Sequence, residues 1–222
     1  MSIHYSPTTV TNGLVLSLDA GNSKSYPGSG TTWTDLSGNG NSVPMTNGAG
    51  YDGSSLIYNG TNQRTFFDLP SLKTASYTIS VWFKQTKNHT GGDTTVIAGI
   101  TDGVGWRYGT TIGFTSALIF GQGNGSNTSI STPISVGNWL HIVGTLSGSA
   151  TNMYKNGILA ASGTGNTSYV ASNLFCIAHG GDGYALTAYF GGNIGQINFY
   201  SRALSAAEVL QNFSALRGRY GV

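Results

Sequence analysis

The chain is poor in charge, in cysteine and in long apolar runs, and each shortage excludes a class of protein. Charged residues make up 8% of its 222 positions, and Glu208 is the single Glu. An ordinary globular chain carries about 25% charge. Coiled coils and long solvated helices need Glu, Lys and Arg on their outer faces, so neither fits. The lone cysteine, Cys176, leaves no intrachain disulfide to form. No run approaches the ~18 apolar residues of a membrane-spanning helix. The opening MSIHYSPTTV has neither the charged nor the apolar region of an export signal. Ten basic residues are scattered, with a net charge of +2, so no phosphate-binding stripe and no nucleic-acid partner is expected. Only Arg217 and Arg219 lie close together, and they read as a solvated tail.

Glycine and periodicity are what the chain does have. It holds 34 Gly, which implies many tight turns, and 39% hydrophobic residues, enough for a core. Apolar alternation at period two recurs along most of it. Leu14, Leu16 and Leu18 mark a first strand. Tyr77, Ile79, Val81 and Phe83 mark the clearest one, and Trp82 between them indicates that the second face is also covered. Further strands are expected at Leu56–Asn59, Thr94–Ile100, Ala117–Phe120, Trp139–Leu146, Leu174–Ala178 and Asn193–Tyr200. Asn156-Gly157 between apolar flanks predicts a hairpin with a type I′ turn. Ser205-Ala206-Ala207-Glu208 is a capping box that starts a helix, with Val209, Leu210, Phe213 and Leu216 on one face and Gly218 at its end. These signals predict an all-β, two-sheet antiparallel sandwich with one short C-terminal helix, which would cover a sheet edge or an open end.

Several segments then become specific: Gly13–Ala20, Trp33-Thr34-Asp35-Leu36-Ser37-Gly38-Asn39-Gly40-Asn41, Leu56–Gln63, Tyr77–Phe83, Asn138–Thr145, Tyr154-Lys155-Asn156-Gly157 and Phe190–Glu208. In that order they resemble the laminin-G-like, concanavalin A-like jelly-roll domain, over about residues 13–213. Both ends are also similar to stand-alone versions in structural proteins of tailed bacteriophages. The resemblance implies a jelly roll at 13–222, preceded by an arm at 1–12.

The residues give little sign of chemistry. Glycosidases need two carboxyl groups about 5–9 Å apart. The Glu-x-Asp-x-Glu strand of the glucanases sharing this fold is missing, and Glu208 has a capping role. There is no G-x-S-x-G elbow, and Cys176 between Phe175 and Ile177 reads as a small buried hydrophobe. No enzyme activity, cofactor or metal is expected. Some laminin-G-like domains bind Ca²⁺, and Asp93, Asp102 and Asp182 in Gly-rich stretches could supply oxygens, but no D-x-D-x-D cluster accompanies them. For sugar binding, aromatic faces beside amide or carboxylate groups are wanted. Asp102, Trp106, Arg107 and Tyr108, together with Asp182 and Tyr184, have that composition, although Trp106 and Tyr108 would equally suit strand positions in the sandwich.

Two functions are compatible with this reading. The first is a virion surface protein made in the host cytoplasm, a decoration protein partnered by capsid or tail proteins and by copies of itself, with some adhesion to cell-surface glycans. The second is a lectin-like adhesion module. In the first, Ile3, Tyr5 and Val10 form an assembly arm, because a sandwich complete from Gly13 offers them no partner.

Overall fold

The structure, a computed structural model, describes residues 7–69, 76–87, 95–101, 110–114, 117–122, 128–165, 174–179 and 189–222. Among them run strands β1 (Leu14–Asp19), β2 (Thr32–Trp33), β3 (Val43–Pro44), β4 (Gly50–Tyr51), β5 (Leu56–Asn59), β6 (Thr65–Asp68), β7 (Ser76–Gln85) and β8 (Thr95–Thr101). Then come β9 (Thr110–Phe114), β10 (Leu118–Gln122), β11 (Thr128–Thr132), β12 (Trp139–Ser147), β13 (Ala150–Lys155), β14 (Ile158–Thr164), β15 (Leu174–Ile177) and β16 (Gly191–Tyr200), followed by helix α1 (Ala206–Tyr220).

The strands form two antiparallel sheets and a small β2–β3 ladder, the expected jelly-roll sandwich. The larger sheet has the order β14-β13-β12-β7-β16-β5-β4. β16 pairs with β7 along one side, and its other side is shared between β5 at Gly191–Ile194 and β1 at Gln196–Tyr200. The smaller sheet has the order β11-β10-β9-β8-β15-β6. The free side of β1 is closed by side chains of the Asp35–Asn41 loop. Asp35 accepts from Ser17 N–H at 2.8 Å, and Ser37 Oγ and Asn41 Nδ2 both donate to the Val15 carbonyl at 2.9 Å. These bonds occupy backbone groups that a bare sheet edge would leave open.

Tyr77, Ile79, Val81 and Phe83 point into the main core with Leu16, Leu18, Ile142, Ile197 and Phe199. Ile97, Ile100, Phe120 and Phe175 meet them from the other sheet. Each such buried side chain contributes about 1.5–3 kcal/mol. The sheets approach closely at Gly144, where a side chain would overlap the Phe120 ring.

The outer face of the larger sheet is covered as well, which explains why all ten residues of β16 are buried. α1 lies across this face, so the helix covers a sheet face rather than an edge or open end. Trp82 stacks against Tyr220 at 4.4 Å, Phe213 at 5.7 Å and His141 at 4.7 Å between ring centroids. Aromatic pairs of this kind add about 0.5–1.5 kcal/mol each beyond their burial. A bulge at Gly195 admits the Tyr220 ring, which occupies the place a side chain there would take. The capping box at Ser205 and Glu208 is formed, but the helix passes Gly218 and ends at Gly221, left-handed with φ 69°. Leu210 faces outward, 49% exposed, while Asn212 takes the buried position.

Asn212 explains the chain before β1. Its Oδ1 accepts from Val10 N–H at 2.8 Å, and its Nδ2 donates to Tyr200 Oη, whose hydroxyl donates to the Val10 carbonyl. Gln211 Nε2 donates to the Thr8 carbonyl at 2.7 Å. Val10 is therefore buried within its own chain, against Tyr200, Leu204 and Val209, and is not free to serve as an assembly hook. The expectation that the sandwich offers it no partner is corrected: α1 supplies one. Ile3 and Tyr5 lie outside the described residues.

Candidate functional site

Asp102, Trp106, Arg107, Tyr108, Asp182 and Tyr184 all lie outside the described residues, as does Asp93. Their described neighbours stand at opposite ends of one strand pair. Thr101 is opposite Leu174, whereas Ile177 is opposite Ala98.

Among the described residues, the groups that carry chemistry elsewhere have structural roles here. Glu208 pairs with Arg202 across 2.5 Å while it caps α1, and the guanidinium holds its carboxyl down to about 2. His141 is buried, with Nε2 2.9 Å from Ser80 Oγ, and burial pushes its pKa down to about 3, so the ring is neutral. Burial pushes the Cys176 thiol up to about 12. Asp52 accepts from Ser54 and Ser55 of its own turn and from Asn193 Nδ2. No three His, Cys, Asp or Glu side chains among the described residues are grouped as metal ligands would be.

The described residues do form an open cleft of about 490 Å³, within the usual range for ligand sites. It lies where β7 ends and β12 begins. Trp139 and Lys84 are cross-strand partners, and Lys84 Nζ sits 5.5 Å from the indole centroid. The Tyr220 ring packs 4.5 Å from the same indole at 44°. Asn138 precedes Trp139, held by a turn in which Gly137 N–H donates to the Gln85 carbonyl at 2.8 Å. Lys155 and Asn156 enter from the β13–β14 hairpin. Asn156 has φ 52°, as the type I′ turn requires, and its Oδ1 accepts from His141 N–H at 2.9 Å. Lys155 Nζ donates to the Pro133 carbonyl at 2.8 Å.

The cleft therefore presents a partly exposed indole flanked by two ammonium groups and two amides. An indole gives an apolar surface for the C–H face of a ring, and amides and ammonium groups bond its hydroxyls or acids. The sequence pattern alone does not mark these residues as a site. Lys84, Trp139 and Lys155 each read as strand positions, and only the register of β7, β12 and β13 brings them together.

Comparison with known proteins agrees with the architecture. A family profile for the laminin-G-type, concanavalin A-like lectin/glucanases superfamily matches residues 59–210. No curated protein sequence matches the chain. Solved structures with a similar fold include the receptor-binding domain of the botulinum neurotoxin C/D mosaic serotype, with TM-score 0.72 and 14% identity over 92% of this chain and 51% of that one. A second comes from botulinum neurotoxin type C, whose cell entry depends on interaction with two ganglioside molecules; it has TM-score 0.69 and 15% identity over 93% and 52% of the two chains. A third is Trypanosoma rangeli sialidase, with TM-score 0.68 and 16% identity over 91% and 32%. The chain thus spans about half the length of those neurotoxin structures and about a third of the sialidase. At these identities the likeness is one of fold. The profile covers more than half of the sequence, and on that ground the chain belongs to the concanavalin A-like lectin/glucanase superfamily.

Proposed function

We propose that this chain is a non-enzymatic carbohydrate-binding module. The reading rests on the cleft at Trp139, where an indole, two amides and two lysines line one open space on a sandwich of the lectin superfamily. The structural roles of Glu208, His141 and Cys176 support a binding rather than a catalytic task. The test is a glycan array probed with the whole chain. Selective binding that is reduced by Asn138→Ala and Asn156→Ala, with the melting temperature of each variant recorded, is expected. Failure to bind any glycan contradicts the reading. Loss of binding on Trp106→Ala, with the Asn138 and Asn156 variants unaffected, moves the site to the 102–108 segment.

A second reading is decoration of a bacteriophage particle, with the same module exposed for adhesion. It is favoured by the two terminal segments similar to phage structural proteins. These segments touch one another, Arg219 of the second donating to Asp19 of the first at 2.6 Å. A chain with only 8% charged residues also has few charges to desolvate against a protein shell. Co-sedimentation with purified particles at a fixed copy number is expected. Absence from particles contradicts this reading and leaves the first one standing.

A further inference from the structure

We infer that the Trp139 cleft takes an anionic sugar, one bearing a carboxylate or a sulfate; this rests on the carbohydrate-binding reading above. The chain has only ten basic residues, and two of them, Lys84 and Lys155, line this one cleft. No Asp or Glu side chain is among its lining residues, and the one carboxylate there, the terminal group of Val222, offsets only one of the two ammonium charges. Two cations elsewhere are paired with carboxylates, Arg202 with Glu208 and Arg219 with Asp19. Lys84 and Lys155 have no such carboxylate partner among the described residues. Two ammonium groups around one recess repel each other and raise the local potential, a cost that an incoming anion removes. Each also retains donors. Lys84 Nζ is poised over the indole face, and Lys155 spends one bond on the Pro133 carbonyl, with two N–H groups left. A neutral sugar would use Trp139 and the amides but leave this charge unmatched. An acidic ring places its C–H face on the indole and its anionic group towards the lysines.

The experiment compares binding of the whole chain to polygalacturonate, dextran sulfate and neutral dextran at low and at physiological salt. Wild type, Lys84→Gln, Lys155→Gln and the control Lys24→Gln are used, with melting temperatures recorded for all. The expected result is a preference for one or both acidic polymers that weakens with salt, a drop of about tenfold for each cleft variant, and no change for Lys24→Gln. The two acidic polymers distinguish a carboxylate from a sulfate ligand. Equal binding of dextran, unaffected by Lys84→Gln and Lys155→Gln, overturns the inference while the carbohydrate-binding reading survives. Equal losses in Lys24→Gln and the cleft variants indicate diffuse polyanion attraction and also overturn it. No binding to these or to any other glycan removes both.

Discussion

Arg219, in the last turn of α1, donates to Asp19 Oδ1 at the end of β1 across 2.6 Å, joining positions 200 residues apart in sequence. The Asp19 side chain is 9% exposed and that of Arg219 34%, so the bond clamps the helix end at the rim of the sheet rather than in free solvent. Reading Arg217 and Arg219 as a solvated tail is correct for neither the helix they belong to nor the partner of Arg219. Arg219→Gln is expected to destabilise the fold by about 1 kcal/mol at low ionic strength and by less in 1 M salt. Urea denaturation at the two salt concentrations checks this, and an unchanged midpoint in both would show that the clamp contributes nothing.

Mild acid should already destabilise the protein. His141 stays neutral in the fold, its pKa pushed by burial from 6.5 to about 3, whereas in the unfolded chain it protonates near its ordinary value. The unfolded state therefore binds the proton first. Stability is full above about pH 6.5 and declines as pH falls towards 3. Glu208 adds a second decline at lower pH. It is ionised in the fold down to about 2 against an ordinary 4.5, so its contribution is lost between those values. Urea midpoints at pH 8, 6, 5 and 4 should fall in the wild type, and His141→Gln should flatten the part between 6 and 5. A variant that follows the wild-type slope there would count against this assignment.

The contact between the sheets at Gly144 has no slack. Gly144→Ala is expected to cost about 1–3 kcal/mol by driving a methyl group into the Phe120 ring. Pairing it with Phe120→Leu should recover part of the loss, and thermal melts of the single and double variants measure this.

The cap of α1 can be tested in the same way. Ser205 Oγ accepts from Glu208 N–H, while Glu208 reaches back to Ser205 N–H at 2.9 Å. Ser205→Ala should cost about 1 kcal/mol. Added to Glu208→Gln, it should cost less than it does alone, because the two groups share one arrangement.

Local signals carried much of the fold. The alternation from Tyr77 to Phe83, the Asn156-Gly157 turn and the Ser205 box each predict an element that the structure contains, and Trp82 announced a covered second face. The short ladders Thr32–Trp33 and Gly50–Tyr51 span two residues each, too few to show a period. Strands Thr110–Phe114 and Thr128–Thr132 are rich in Thr and hold few apolar residues to alternate. Long-range choices were hidden for another reason. Nothing local to Asn212 says that it will bond Val10, and nothing in Lys155 says that it will share a cleft with Lys84 and Trp139. Those partnerships follow from strand order and from how α1 lies on the sheet, which no window of sequence contains.

The most direct test of the carbohydrate-binding account is a chemical-shift map of the whole chain titrated with the best array glycan. The account predicts that the indole N–H of Trp139 and the side-chain amides of Asn138 and Asn156 shift together with one dissociation constant, and that the core strand Tyr77–Phe83 does not move. Shifts confined to residues 102–108 or 182–184, with Trp139 silent, would contradict the assignment of the site.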